Sequence, residues 1–248
     1  MNARPLATSA FAAALSGATA DRAKGHQVTP AANDPRGGDA TVYDRLREDI
    51  LFCRIPPGAQ IFEQDLANRF GTSKSPVREA LLRLRQQGLV DVKARSGYRV
   101  TPMSVTQVNE MYEMRIMYET TCAALAIEHA SEEELSRLDV YRTVPTISDV
   151  SEWTALNRRF HIDLAGICGN GQLARTATEF IAQFARFTYV SSSRMRRLRV
   201  DKLVDDHAAI ITAIRARDRR RAKSALRTHI EASRRRIIEA LSNPPIVP

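Results

Sequence analysis

Cysteine is scarce in this 248-residue chain, and the three present do not form a pattern. Cys53, Cys122 and Cys168 are isolated, odd in number and without the spacing of metal ligands. That excludes a disulfide framework and is expected of reduced thiols in a cytoplasmic protein. Long apolar runs are missing as well. None reaches the roughly 18 residues a membrane span needs, so no membrane segment is expected. Aromatic residues make up only 6%, with a single tryptophan. The first 40 residues are rich in Ala, Gly, Ser, Thr and Pro and carry no sustained apolar period. Their apolar stretch is short, broken by Ser16 and Gly17 and preceded by one arginine, which is too weak for a signal peptide. A disordered leader over residues 1–40, or a reading frame that begins too early, is the expectation.

Acidic residues are outnumbered, and the imbalance is uneven. The net charge is +9. Residues 41–100 hold 11 Lys/Arg against 7 Asp/Glu, while residues 101–248 hold 22 against 18. Both give +4, but the first is packed into well under half the length. A dense positive charge on a short segment suits phosphate neutralisation. The later surplus lies in Arg194–Arg199 and Arg215–Arg236 and reads as solvated helix faces.

The segment from Glu63 to Val100 is the most informative part. Leu66, Ala67 and Phe70 share one face of a short helix, which Gly71-Thr72 turns. Ser73 is placed to cap a second helix, in which Val77, Ala80, Leu81 and Leu84 recur at helical spacing. Two short helices joined by such a turn suit a helix-turn-helix, whose second helix enters the major groove. Ser73, Lys74, Ser75 and Arg78 fall in its first turn and a half, opposite the apolar face. Arg78 is suited to gripping guanine O6 and N7 with two hydrogen bonds, and Lys74 and the serine hydroxyls to phosphates or single acceptors. Pro76 is tolerated in a first turn, where its missing N–H has no partner to lose. After Gly88 the period becomes strand-like, with Val90 and Val92, an Arg95-Ser96-Gly97 turn, and Tyr98-Arg99-Val100: a basic wing.

These residues resemble the winged helix-turn-helix of GntR-type transcriptional regulators. The resemblance rests on Pro56-Pro57-Gly58, Glu63-x-Asp65-Leu66-Ala67, Ser73-x-Ser75-Pro76-Val77-Arg78-Glu79-Ala80-Leu81, Leu84, Gly88-Leu89, Gly97 and Val100. It implies DNA contacts from Gln64, Ser73, Lys74, Ser75, Arg78, Arg95 and Gly97. Gln64 and Lys74 stand where relatives often carry arginine, which leaves the operator sequence open.

Beyond Val100 no strand pattern appears, and the rest reads as helices forming an antiparallel bundle. Ser104 is placed to cap a long helix, with Val108, Met111, Met114, Ile116 and Met117 as apolar positions, running to His129. Ser131-Glu132-Glu133-Glu134 starts another. Val140–Val150 is a break containing Pro145. Trp153, Leu156, Phe160 and Leu164 mark the next helix, Leu173–Val190 a further amphipathic one, and Asp201–Ala216 and Ala222–Leu241 the last two. The division expected is therefore a leader over 1–40, a DNA-binding domain over 41–100, a helical domain over 101–243 and a tail over 244–248.

Of five histidines, His161, His207 and His229 lie inside helices, and Asn157 precedes His161 by one turn. Three imidazoles and an oxygen suit a borderline divalent cation such as zinc or nickel, though spacing alone does not decide it. The same region resembles the FCD effector domain of the FadR subgroup of GntR regulators. Arg115-x-x-Tyr118-Glu119, Asn157-x-x-Phe160-His161, Gly169-Asn170, Asp206-His207-x-x-Ile210, Ala213-Ile214, Asp218 and His229 carry that resemblance. It implies a metal held by Asn157, His161, His207 and His229, with asparagine standing where relatives have aspartate. The stretch between Leu138 and Asn157 is short for the helix most relatives place there.

The resemblance further implies a small carboxylate effector gripped by the metal, with Arg115, Arg186 and Tyr189 as effector-binding candidates. Trp153 and the three methionines read as packing. The expected protein is mainly α-helical: a ligand-responsive repressor that binds operator DNA as a homodimer. The alternative is a metal-dependent hydrolase using the three histidines. Position 157 offers no carboxylate as general base, and Asp206 is the best remaining candidate.

Overall fold

The computed structural model describes residues 41–93, 97–143, 147–195 and 200–242. The leader, the Arg95-Ser96 tip of the wing and the tail lie outside them. The chain divides after Met103, the second compact unit being Ser104–Asn243.

In the first unit, helix α1 (Val42–Leu51) opens on a capping box in which Thr41 and Asp44 satisfy each other's backbone N–H groups. Strand β1 (Gln60–Ile61), α2 (Glu63–Phe70) and α3 (Lys74–Gln86) follow, then β2 (Val90–Lys93) and β3 (Gly97–Val100). Gly71 ends α2 in the left-handed region at φ 63°, which makes the tight turn cheap for glycine. Ser73 occupies the cap position of α3 but makes no side-chain capping bond, contrary to the sequence expectation. The residue is left exposed on the basic face. The buried set Val77, Ala80, Leu81 and Leu84 packs α3 against the other helices. Asp49, fully buried, ties α1 to α2 by accepting from Arg69 at 2.6 Å.

The wing is larger than the expected hairpin. β3 is the centre of a three-stranded antiparallel sheet, with β1 on its other edge through Gln60↔Arg99 and Ile61↔Tyr98. Two residues are too few for a visible alternation, so β1 left no period in the sequence. Gly97 has φ 77°, and a Cβ there would come within 2.7 Å of the Ile61 carbonyl oxygen. Both conditions require glycine.

The second unit contains only helices among its described residues. They are α4 (Val105–His129), α5 (Glu132–Ser136) with a 3-10 turn over Arg137–Arg142, α6 (Val150–Gly166), α7 (Gly171–Ala182), α8 (Ala185–Ser193), α9 (Val200–Arg215) and α10 (Arg219–Ser242). Ser104 caps α4 as expected, and α5 starts where expected, with Ser131 and Glu134 forming a capping box. The helix expected over Leu173–Val190 is broken at Gln183-Phe184 into α7 and α8. That break lets Phe184 and Phe187 pack around Tyr112, at 5.0 and 6.1 Å between ring centres. Helices α4 and α10 run antiparallel. Asn109 meets Arg234, Tyr112 meets Ser233 and Glu128 meets Arg219.

One face of α4 departs from the expected pattern. Met114 and Met117 are exposed, whereas Arg115 and Glu119 are buried with 1% exposure each. Polar residues on an inward face need partners, and theirs lead to the histidines.

Candidate DNA-reading face and metal centre

In the first unit, the side of α3 opposite its buried stripe presents Ser73, Lys74, Ser75 and Arg78, all exposed. Gln64, exposed on α2, donates to Asn68 at 2.9 Å. Gly97 opens β3, and Arg95 lies outside the described residues. The guanidinium of Arg78 is engaged: Nε donates to Glu63 Oε1 at 3.0 Å and Nη2 to Oε2 at 2.7 Å. That hydrogen-bonded pairing holds the Glu63 carboxyl below its ordinary range.

In the second unit, three helices bring His161 (α6), His207 (α9) and His229 (α10) together, all buried. One nitrogen from each ring lies within 4.8 Å of the others. The Nε2 atoms of His161 and His229 are 3.2 Å apart. Two nitrogens about 2.0–2.1 Å from one tetrahedral zinc would be roughly 3.3–3.4 Å apart, so the spacing already suits an ion. His207 Nε2 is buried with no hydrogen-bond partner among the described residues. An orphaned buried nitrogen is costly unless something binds it. Asn157 is buried on α6, one turn before His161.

All three imidazoles are held neutral, the form that ligates metal. Burial pulls His161 down to about 4, against the opposing pull of Glu119. Burial and the neighbouring histidines take His207 well below the usual range, and burial lowers His229. The ring of His207 is fixed by stacking on Phe160 at 4.0 Å, with Trp153 beyond it at 6.1 Å. The tryptophan therefore packs, as expected, but packs on a candidate ligand.

Two carboxylates stand behind the rings. Glu119 Oε2 lies 2.7 Å from His161 Nδ1, and its Oε1 accepts from Arg115 Nε at 2.6 Å. Burial raises the Glu119 carboxyl, but Arg115 and His161 outweigh it and hold the group down to about 2. Asp206 Oδ2 is 3.5 Å from His229 Nδ1, long for a hydrogen bond. Glu119 was visible in the sequence as part of a motif, but nothing there assigned it a role. Its signal was a carboxylate on the inward face of a helix, one turn from an arginine.

The structure thus places Arg115 beside the histidines through Glu119. Its guanidinium carbon sits 4.8 Å from the centre of the Phe184 ring, at the start of α8. Arg186 is buried on α8, 5.1 Å from the Phe187 ring, and Tyr189 is half-buried on the same helix. A cavity of about 430 Å³ lies between α9 and α10, lined by Lys202, Asp206, Arg235 and Arg236 among others. Arg236 is half-buried there, and burial lowers its pKa. Sequence reading had placed it in a solvated basic run.

Residues 39–100 match the profile of bacterial regulatory proteins of the gntR family, and residues 110–232 match the FCD domain. The chain belongs to the GntR family. This GntR regulator is 28% identical over 192 residues to the uncharacterised HTH-type transcriptional regulator YdhC of Bacillus subtilis, covering 75% of its own length and 85% of the relative's. It is 27% identical over 200 residues to the HTH-type transcriptional repressor RspR of Escherichia coli, covering 77% and 84%. In fold it is similar to E. coli McbR/YncC, with a TM-score of 0.68 at 18% identity over 80% of this chain and 95% of the other. A putative GntR regulator from Rhodococcus sp. RHA1 gives 0.67 at 20% identity, over 80% and 96%. The protein is a DNA-binding transcriptional regulator and not an enzyme, which sets the hydrolase alternative aside. Among the described residues, no helix is long and apolar enough to cross a membrane.

Proposed function

We propose that this GntR regulator is a repressor that releases operator DNA when a small organic acid binds beside a metal ion in its helical unit. The observation carrying this reading is the buried, neutral histidine trio with the unpartnered Nε2 of His207. His161, His207 and His229 would hold zinc or nickel, with Asn157 as the oxygen ligand. The ion would supply a fixed positive charge. Three neutral imidazoles and a neutral amide do not compensate it, so an anion is the natural completing ligand.

Arg115, Arg186 and Tyr189 are the proposed effector-binding residues, and the cavity bearing Lys202 and Arg236 adds cationic character beside Asp206. On DNA, Gln64, Ser73, Lys74, Ser75, Arg78, Arg95 and Gly97 are the proposed contacts. Arg78 reads a base and the others position the domain. A homodimer with two winged domains on a palindromic site fits the small footprint of one such domain. The repressor RspR is among the relatives, which favours repression over activation.

The test is a titration of metabolite acids into an operator-binding assay, with and without chelator. An acid that lowers operator affinity only in the metal-bound protein supports the reading. An acid that binds the protein and leaves DNA affinity untouched in every case overturns it.

A further inference from the structure

We propose that Glu63 is a specificity-determining residue: it orients the Arg78 guanidinium so that only one of its two bidentate edges meets DNA. This rests on the reading of Arg78 as the base-contacting residue. A guanidinium presents a side edge, Nε with Nη2, and an end edge, Nη1 with Nη2. Glu63 occupies the side edge with both of its oxygens, at 3.0 and 2.7 Å. The end edge is left for guanine O6 and N7.

The pair is poorly explained as a device for stability. The Arg78 side chain is 59% exposed, and exposed ion pairs contribute little. Packing between α2 and α3 is carried by the buried Leu66, Ala67, Val77, Ala80 and Leu81. Helix α2 does not need Glu63 for its dipole either, since Asp65 also lies in its first turn. Against these small gains, a carboxylate on a face that meets phosphates repels them. A residue with that cost is accounted for if it fixes geometry. Held at both Nε and Nη2, Arg78 has less rotamer freedom to lose on binding and is kept from swinging to a phosphate. Removing the carboxylate should therefore weaken specific binding while leaving non-specific binding unchanged or tighter.

Full-length protein would first select its preferred duplex from a random-sequence library. Affinities for that duplex and for a mixed-sequence duplex of equal length are then measured for wild type, Glu63→Gln, Arg78→Ala and the double variant. Helical circular dichroism confirms the fold of each. The expected result is that Glu63→Gln lowers the ratio of specific to non-specific affinity by about tenfold. It should not lower the ratio further once Arg78 is alanine. An unchanged ratio in Glu63→Gln overturns the proposal, as does an equal fall in the Arg78→Ala background, which would mean that Glu63 acts alone. If Arg78→Ala itself leaves the ratio unchanged, the base-reading role of Arg78 falls and this inference with it. If Arg78→Ala lowers the ratio and Glu63→Gln does not, only the orienting role of Glu63 is lost.

Discussion

Oε2 of Glu119 lies 2.7 Å from Nδ1 of His161, deep in the helical unit. A carboxylate at that distance favours the proton on Nδ1 and turns the Nε2 lone pair toward the other two histidines, and it also fixes the ring plane. Since Arg115 holds the other oxygen of Glu119, the three side chains form a chain from α4 to the histidine trio. Arg115 therefore has a structural task besides any contact it makes with an effector. Its ion pair with Glu119 runs one turn along α4 itself.

Replacing Glu119 should accordingly weaken metal binding as well as the fold, since it also takes the partner from the buried Arg115. Glu119→Gln keeps the volume and one acceptor but loses the charge that favours a basic imidazole. Loss of such an outer partner typically costs 10–100-fold in metal affinity. Competition against a chromophoric chelator reads this directly. Unaltered affinity in a folded variant would show that Glu119 does not serve the ion.

The purified protein should carry about one divalent ion per chain, lost on His207→Ala. Chelation should lower the melting temperature, because an ion bound only by the folded state stabilises it by about 2.7 kcal/mol at a hundred times its dissociation constant. Elemental analysis that finds no ion after growth with added zinc or nickel would remove the metal from the proposed mechanism.

The fold was readable in the sequence wherever a period was long. Helix α4 announced itself through its Ser104 cap and recurring apolar residues, α3 and α6 through recurring apolar residues alone, and the Gly71 turn through its glycine. Three features escaped for definite reasons. Strand β1 is two residues long and has no period of its own. The break between α7 and α8 is made by tertiary packing of Phe184 and Phe187, with no proline or glycine to mark it. The exposure of Met114 and Met117 reverses the hydrophobic rule locally, because that helix turns Arg115 and Glu119 inward. Among site residues, the histidines were legible as types. The Glu119 and Glu63 contacts were not, since pairs 42 and 15 residues apart are created only by folding.

Stability of the metal-free protein should fall as the pH drops from about 6.5. His161 ionises at about 4 when folded against an ordinary 6.5, so the unfolded chain takes up its proton first. No stability is lost above about 6.5, and loss accumulates from there down to about 4. For His161 alone the full effect is on the order of 3 kcal/mol, with His207 and His229 acting in the same direction. Glu119 adds a second window. Its folded value of about 2 lies below 4.5, so its contribution is present above 4.5 and fades as the pH falls towards 2. Thermal melts of chelator-treated protein across this range check the sign, and a melting temperature that is flat or rising towards acid contradicts it.

Operator binding should be salt-dependent and should weaken on Arg78→Ala. One good bidentate base contact is worth about 1–3 kcal/mol per half-site. Losing the arginine also strands Glu63 as an unpaired carboxylate near phosphates. Fluorescence anisotropy at several salt concentrations separates the base contact from general attraction. Equal operator affinity in a folded Arg78→Ala protein would rule out a groove-facing role.

The last expectation concerns coupling between the two units. A small carboxylate that binds the metal-bound protein should lower operator affinity, and Arg115→Ala should blunt that response while leaving DNA binding without the acid nearly intact. A charge-assisted hydrogen bond from a buried guanidinium to the acid would contribute roughly 1.5–3 kcal/mol. The chain from Arg115 through Glu119 to His161 complicates the variant, because alanine also leaves a buried carboxylate with one partner fewer. Metal content must therefore be measured alongside. With metal retained, weaker acid binding assigns Arg115 to the effector, whereas parallel loss of metal and acid assigns it to the ion's support. Allosteric coupling is reciprocal, so saturating operator DNA should weaken acid binding by the same factor by which the acid weakens DNA binding. Calorimetric titration of the acid into protein with and without DNA tests that equality. If the response to the acid survives removal of both the metal and Arg115, the ion-centred mechanism is wrong.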